Sequence, residues 1–446
     1  MRFENQKKVP LTVFIFVLVA AILLSFMAAF AVTTDAYMKR LAVYQKPVVP
    51  GTDTPVNTTD KLSTVVSILK GISYYDIDDE ILCKSLMQGY ISILGDPYAY
   101  YFNEEEFKAL TADNNGDSQG IGIGIIQDAE NKCIKVISVY DGSPAEKAGL
   151  RTGDRIVKIG IGASAEPINE MSYEAAVKRL QGPAGTTAEF TVARGDDLSE
   201  ILEFSVPREH FTAQSVSGRV SELTKDGKKI GIIKITGFDM TTPPQFCKAM
   251  DNLIAEGCEY YVFDVRYNPG GDLASITAVL SYLLRSGDVV IKTKDRSGNE
   301  EITYVKEVKY AETSAYSACS VTQNDIGKYR DRVFGKSAVL VNGNTASAAE
   351  LFTSSLKDYG VSVIVGTKTY GKGSMQSIIN LAYYGYTGAI KCTTKKYFPP
   401  VSEGYDGIGI IPDVVVELDE KLKDKSIYDV SDSEDNQLGA AINAFK

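Results

Sequence analysis

One histidine, His210, and no tryptophan occur in 446 residues. With a single imidazole, a Ser-His-Asp triad could be built only around His210. That residue lies in "VPREHF", at the seam between two regions of different texture, and is expected to have a structural or surface role. The same scarcity removes the familiar zinc spacings, because the six cysteines (Cys83, Cys133, Cys247, Cys258, Cys319, Cys392) contain no C-x-x-C pair. Their pairing is not legible, and buried free thiols are as consistent with the sequence as disulfides. A basic surplus is lacking too: a net charge of -10 gives no footing for a phosphate backbone, which excludes nucleic acid as a partner. No repeat suggests a solenoid.

An uncharged run of membrane length occurs once, from Leu11 to Val32, with Thr12 and Ser25 as its polar members. At about 1.5 Å per residue it can cross a hydrocarbon layer of about 30 Å. Arg2, Lys7 and Lys8 precede it, so residues 1–33 are expected to be a signal-anchor with a cytoplasmic N-terminus and an external body. The alternative is a cleaved signal peptide, since Ala29-Phe30-Ala31 has the A-x-A form, although secretory apolar regions usually span about 7–15 residues. Residues 34–60, with "KPVVPGTDTPVNTTD", read as a flexible linker. Residues 61–115 place apolar side chains at helical spacing (Leu62, Val65, Val66, Leu69; Ile81, Leu82, Leu86), interrupted by "GDPYAYYF".

From 116 to 208 short β-branched runs alternate with glycine: "GIGIGII", "CIKVISVY", "GDRIVKIG", "TTAEFTVAR". Five or six strands with two short helices in roughly ninety residues describe a compact binding module. The strings "GIGI", "DGSPAEKAGLRTGDRIVKI" and "MSYEAAVKRLQGPAGT" resemble a PDZ domain. That resemblance implies that backbone N–H groups of Gly120, Ile121, Gly122 and Ile123 receive a peptide's terminal carboxylate while the peptide adds as a strand to an open sheet edge. Glycine permits the close approach, which a Cβ would block. Taken alone, "GIGI" would be only a glycine-rich turn.

Residues 209–446 alternate apolar strands and helices in a β, α, β, α rhythm, which predicts a layered α/β domain with largely parallel strands and a short terminal helix. Ligand chemistry in such domains sits at the carboxyl ends of strands. Two stretches fall there: "RYNPGGD" after "YYVFDV", and "NGNTASAAE" after "SAVLV". Ser347 in the second is either a nucleophile or a helix N-cap, with Glu350 completing a capping box. A serine hydroxyl needs a base near neutral pH, and with histidine so scarce the remaining serious base is a desolvated lysine. "TYGKGSMQ", after "VSVIVG", supplies Lys372 between two glycines. Alone, this lysine would be an ordinary surface charge.

The ordered set "DVRYNPGGDL", "VNGNTASAAEL", "VGTKTYGKGSMQ" and "GIGIIPDV" strongly resembles the C-terminal processing, or tail-specific, serine peptidases, and the likeness runs from about Leu62 to Glu417. It implies a crotonase-like α/β peptidase core with an inserted PDZ domain. It further implies Ser347 as nucleophile, Lys372 as its general base and Gln376 as the residue orienting the lysine amine. The oxyanion hole would be the N–H of Ala348 with that of Gly270 or Gly271. The family requires no metal or organic cofactor, takes protein or peptide substrates by their C-termini, and includes homodimers joined through terminal segments. Location on the outer side of a bacterial cytoplasmic membrane follows from the same resemblance and the charge pattern. Two departures stand out: "TASAAE" replaces the commoner "SASASE", putting Ala349 where a second serine often stands, and Lys306–Arg332 looks longer than usual. The rival readings are a catalytically silent, membrane-tethered PDZ scaffold and a non-peptidase hydrolase on the same core.

Overall fold

The computed structural model describes residues 58–445 apart from 129–130, 141, 172, 196–197 and 423–429. The expected anchor at 11–32 lies outside them, and among the described residues no helix is long and apolar enough to cross a membrane. The chain divides into one unit up to Cys83 and another from Lys84 onward. The first contains α1 (Thr58–Ile72) and the start of α2 (Asp79–Ser92). The apolar stripe of α1, with Leu62, Val65, Ile68 and Leu69, is exposed.

In the second unit the interruption predicted at "GDPYAYYF" becomes a turn and a short strand, β1 (Tyr100–Phe102). It is followed by α3 (Glu104–Asn114), which opens on a reciprocal capping box: Asn103 Oδ1 accepts from the Glu106 N–H, and Glu106 Oε2 accepts from the Asn103 N–H. Next come β2 (Asp117–Gly120), β3 (Ile123–Asp128), β4 (Cys133–Val139), α4 (Pro144–Lys147), β5 (Arg155–Ile159), β6 (Glu166–Pro167), α5 (Tyr173–Leu180), β7 (Thr187–Arg194), β8 (Glu200–Pro207) and β9 (Glu209–Thr212). Strands β3-β4-β5-β7-β8 form one sheet with β6 attached to β5, around a core that includes Ile134, Val136, Ile156, Phe190 and Val206. β2 and β9, the entry and exit strands, pair with each other as a separate antiparallel ribbon.

The remaining elements are β10 (Val216–Lys225), β11 (Lys228–Ile235), α6 (Thr242–Ala255), β12 (Cys258–Asp264), α7 (Leu273–Leu283), β13 (Val289–Asp295), β14 (Glu300–Tyr304), α8 (Arg330–Val333), β15 (Ser337–Val341), α9 (Ala348–Asp358), β16 (Val363–Gly366), β17 (Ser374–Asn380), β18 (Ala389–Phe398), β19 (Val414–Val415) and α10 (Asn436–Asn443). The expected parallel sheet is present in the order β10-β11-β12-β15-β16-β19, antiparallel only at β10. Every residue of β15 is buried, as its unbroken apolar run demands of a strand covered on both faces. Helices α6, α7 and α9 pack Phe246, Ile276 and Phe352 on one face, and α10 packs Leu438 and Ile442 in a second cluster with Ile230, Val262 and Leu340. A second sheet, β1-β18-β13-β14 with β17 on β18, is antiparallel throughout and was not foreseen from the sequence. It brings the segment around Tyr98 and the strand after Lys372 onto one common strand, β18. All six cysteines are free thiols.

Candidate active site

Three loops leave the carboxyl ends of β12, β15 and β16, and hydrogen bonds lash them together. The buried Thr345 hydroxyl donates to Val265 O (2.9 Å), the Ala346 N–H donates to Asn268 O (2.9 Å), and the Tyr370 N–H donates to Thr345 O (3.0 Å). Arg266 stiffens the first loop from behind. It is 4% exposed and forks onto Asp264 (2.7 Å) and onto Asp435 (2.8 Å), which caps α10. Burial alone would raise the Asp264 carboxyl, but Arg266 and Lys234 beside it outweigh that and hold it below the usual carboxylate range.

Ser347 sits at the turn from β15 into α9 with φ 56° and ψ −120°, a conformation few L-residues adopt. Strain of this kind, on a serine between a buried strand and a helix, is the geometry that lifts a nucleophile out of the backbone at strand-to-helix elbows. Glu350, three residues on, is fully buried. Its Oε2 accepts the N–H groups of Ser347 (3.0 Å) and Lys372 (2.8 Å), and its Oε1 accepts the Gly371 N–H (2.7 Å) and the Thr369 hydroxyl (2.6 Å). The sequence suggested a helix cap here. The structure adds a function that a cap does not have, because one carboxylate holds the serine turn and the lysine loop in fixed relation.

Ser347 and Lys372 line the same cavity of about 340 Å³, together with Ala348, Gly271, Gln376 and Tyr397. The two glycines of "NPGG" behave differently. Gly270 donates its N–H to Asn268 Oδ1 (2.8 Å), so that N–H is already engaged. Gly271 and Ala348 have no N–H partner among the described residues. Both glycines are required sterically: at φ 105° a Cβ on Gly270 would lie 2.7 Å from Ser347 Cβ, and at φ 148° one on Gly271 would lie 2.0 Å from Phe238 O.

Lys372 is half-buried, and its ammonium makes no hydrogen bond among the described residues. Its Nζ lies 4.4 Å from the centre of the Tyr98 ring. Burial pushes its pKa down, and the like charge of Lys391 adds to that, while Asp96 and Glu350 oppose. The direction suits a base, since only the neutral amine accepts a proton. Gln376 faces the cavity, where its Nε2 donates to Thr393 Oγ1 (3.0 Å) and Ser374 Oγ (3.1 Å), and no hydrogen bond joins its side chain to the Lys372 amine among the described residues. A bulge between Met375 and Gln376 in the β17–β18 ladder leaves Gln376 opposite Thr393.

Tyr397, unmarked in the sequence, belongs to the site. Its N–H donates to Gly373 O (2.9 Å), its hydroxyl donates to Lys372 O, and the Ser347 hydroxyl flanks the phenol, whose pKa burial pushes up. His210 does not belong to it. That ring is exposed on β9, with Nδ1 3.1 Å from Asp117 Oδ1 across the β2–β9 ribbon.

In the β-rich module, β3 is an edge strand and the "GIGI" turn precedes it. Gly122 has φ 80°, and a Cβ there would lie 2.2 Å from that of Ser143, the buried N-cap of α4. Half-buried Ile123 and Ile125 of β3 pack on the same core as Val177 of α5. The edge is therefore open beside apolar side chains, as strand addition requires.

Residues 229–416 match the model of peptidase family S41, and residues 135–194 match that of the PDZ domain. The carboxy-terminal-processing protease of Bartonella bacilliformis is 32% identical over 369 residues, covering 81% of this chain and 75% of the relative. A CtpA-like serine protease of Staphylococcus aureus (strain COL) is 30% identical over 364 residues, covering 82% of this chain and 66% of the relative. A solved S41 protease structure from Bacteroides fragilis NCTC 9343 superposes with a TM-score of 0.55 at 15% identity, over 89% of this chain and 98% of that one, a likeness of fold. With a relative this similar over most of its length and both of its modules matched, the chain belongs to the S41 serine peptidases, among the carboxy-terminal-processing proteases with a PDZ domain.

Proposed function

We propose that the protein is a membrane-anchored endopeptidase in which Ser347 and Lys372 form a catalytic dyad on a crotonase-like core, and in which the PDZ module captures substrates by their C-termini. The observation that carries this reading is that one buried carboxylate, Glu350, holds the backbones of Ser347 and Lys372 together at one cavity. Lys372 Nζ takes the proton as Ser347 Oγ attacks the scissile carbonyl carbon, and the oxyanion receives the N–H groups of Ala348 and Gly271. The lysine then gives its proton to the departing amine, leaving an acyl group on Ser347. Water, deprotonated by the same amine, releases the new carboxylate and restores the serine. Residues 11–32 would tether this body to the outer face of a bacterial cytoplasmic membrane.

Tail capture is tested by giving the solubilised full-length chain an unfolded protein with a free apolar C-terminus, and the same protein amidated there. The free-tailed substrate should have a kcat/KM at least about tenfold higher, the equivalent of roughly 1.4 kcal/mol of carboxylate recognition. Equal rates would remove the PDZ module from substrate choice. Binding of the free tail without any cleavage would favour the silent scaffold.

A further inference from the structure

The lysine amine lacks the partner expected for it, and the structure offers another. Asp96 to Ala99 form a turn far upstream in sequence, pinned to β18 by two bonds into Asp96: Thr393 N–H to Oδ2 (2.7 Å) and Thr393 Oγ1 to Oδ1 (3.1 Å). Inside the turn the Tyr98 N–H donates to Asp96 Oδ1 (3.0 Å), and β1 continues from it along β18. The turn is thus held firmly, with the Tyr98 ring beneath Lys372 Nζ at 4.4 Å from its centre. The Tyr98 phenol lies beside that of Tyr370, which stands in the same loop as Lys372.

We infer that Tyr98 is a positioning residue for catalysis, its π face serving as the seat on which Lys372 carries the proton taken from Ser347. This rests on the dyad reading above. A base that must gain and lose a proton every cycle is badly served by a paired carboxylate, which would trap the ammonium. An aromatic face attracts the ammonium more weakly and leaves the amine's lone pair free to turn toward the serine. The other charged groups facing the amine are Lys391 from β18, Asp96 from the turn and Glu350 from α9. Lys391 opposes the charge, and the two carboxylates favour it while their oxygens are engaged by backbone N–H groups.

The test weakens the π face without changing its shape. Position 98 of the full-length chain is made phenylalanine and then a series of mono-, di- and trifluorinated phenylalanines, with thermal unfolding confirming an intact fold. Trace acetic anhydride labelling of amines, read by mass spectrometry on the Lys372 peptide, gives the titration midpoint of that lysine without any turnover. The midpoint should fall stepwise with fluorination, by about 0.5 to 1.5 pH units from phenylalanine to the trifluoro analogue, since a seated ammonium loses its attraction as the ring's quadrupole is withdrawn. A midpoint that does not move across the series overturns the inference. The acid limb of the hydrolysis rate, measured in parallel, should follow the midpoint. If the midpoint falls while the limb stays fixed, the seat stands and Lys372 is not the base.

Discussion

Replacing Ser347 by alanine should lower proteolysis by about four orders of magnitude or more, and Lys372→Ala should do nearly as much. Removing the hydroxyl leaves no atom to carry the acyl group. Removing the amine leaves the hydroxyl protonated, because His210 is paired with Asp117 on an exposed ribbon outside the cavity and cannot substitute. The double variant should be no slower than either single one, as expected of groups that act as a unit. Neither change should cost much stability: Ser347 contributes one hydroxyl, and Lys372 is a half-buried cation whose burial is itself unfavourable. The wild-type rate should fall as pH drops through the lowered Lys372 pKa, since protonation removes the base.

The second large effect is expected at Glu350, and the informative change is to glutamine. A capping box accepts glutamine as readily as glutamate. If Glu350 were only a cap, Glu350→Gln would be nearly silent. Here both carboxylate oxygens accept, each from two donors. An amide keeps one acceptor and turns an NH2 group toward two donors, leaving them unpaired in a fully buried place. At about 1–3 kcal/mol for each unsatisfied buried donor, the loss should approach 2–6 kcal/mol. Activity should fall about a hundredfold or more, because the serine turn and the lysine loop are no longer held in register. Thermal unfolding and kcat measured on Glu350→Gln and Glu350→Ala check both parts, and a Gln variant with wild-type stability and rate would reduce Glu350 to a cap.

What the sequence disclosed and what it hid divides by range of interaction. The PDZ module, the parallel sheet and the loops bearing Ser347 and Lys372 are written in local patterns: alternating apolar runs, small residues around a serine, glycines around a lysine. The bonds from Gln376 to Thr393 and Ser374 are hidden in the sequence, because a bulge in β17 cannot be read from "GSMQSII". That Asn268 engages the Gly270 N–H, while the Gly271 N–H has no partner among the described residues, depends on a side-chain direction that no spacing reveals. Glu350 was visible as a cap, yet three of its four donors come from the loop at 369–372, which only the fold brings near. Tyr397 stands in an ordinary strand, "KCTTKKYF", and acquires its place through the β17–β18 pairing. Tyr98 was more nearly legible, since Asp-Pro followed by a run of aromatics marks a turn with side chains to bury. Its partner, Lys372, lies beyond the whole PDZ insertion.

The central claim is that Ser347 is a nucleophile activated by Lys372. It is tested most directly by treating the solubilised full-length chain with a serine-directed phosphonate and mapping the adduct by mass spectrometry, across pH, in wild type and in Lys372→Ala. The account predicts a single adduct on Ser347, formed faster as pH rises through the lysine's titration and at least about a thousandfold more slowly without Lys372. An adduct on another residue, or modification of Ser347 at the same rate with Lys372 removed, would contradict it.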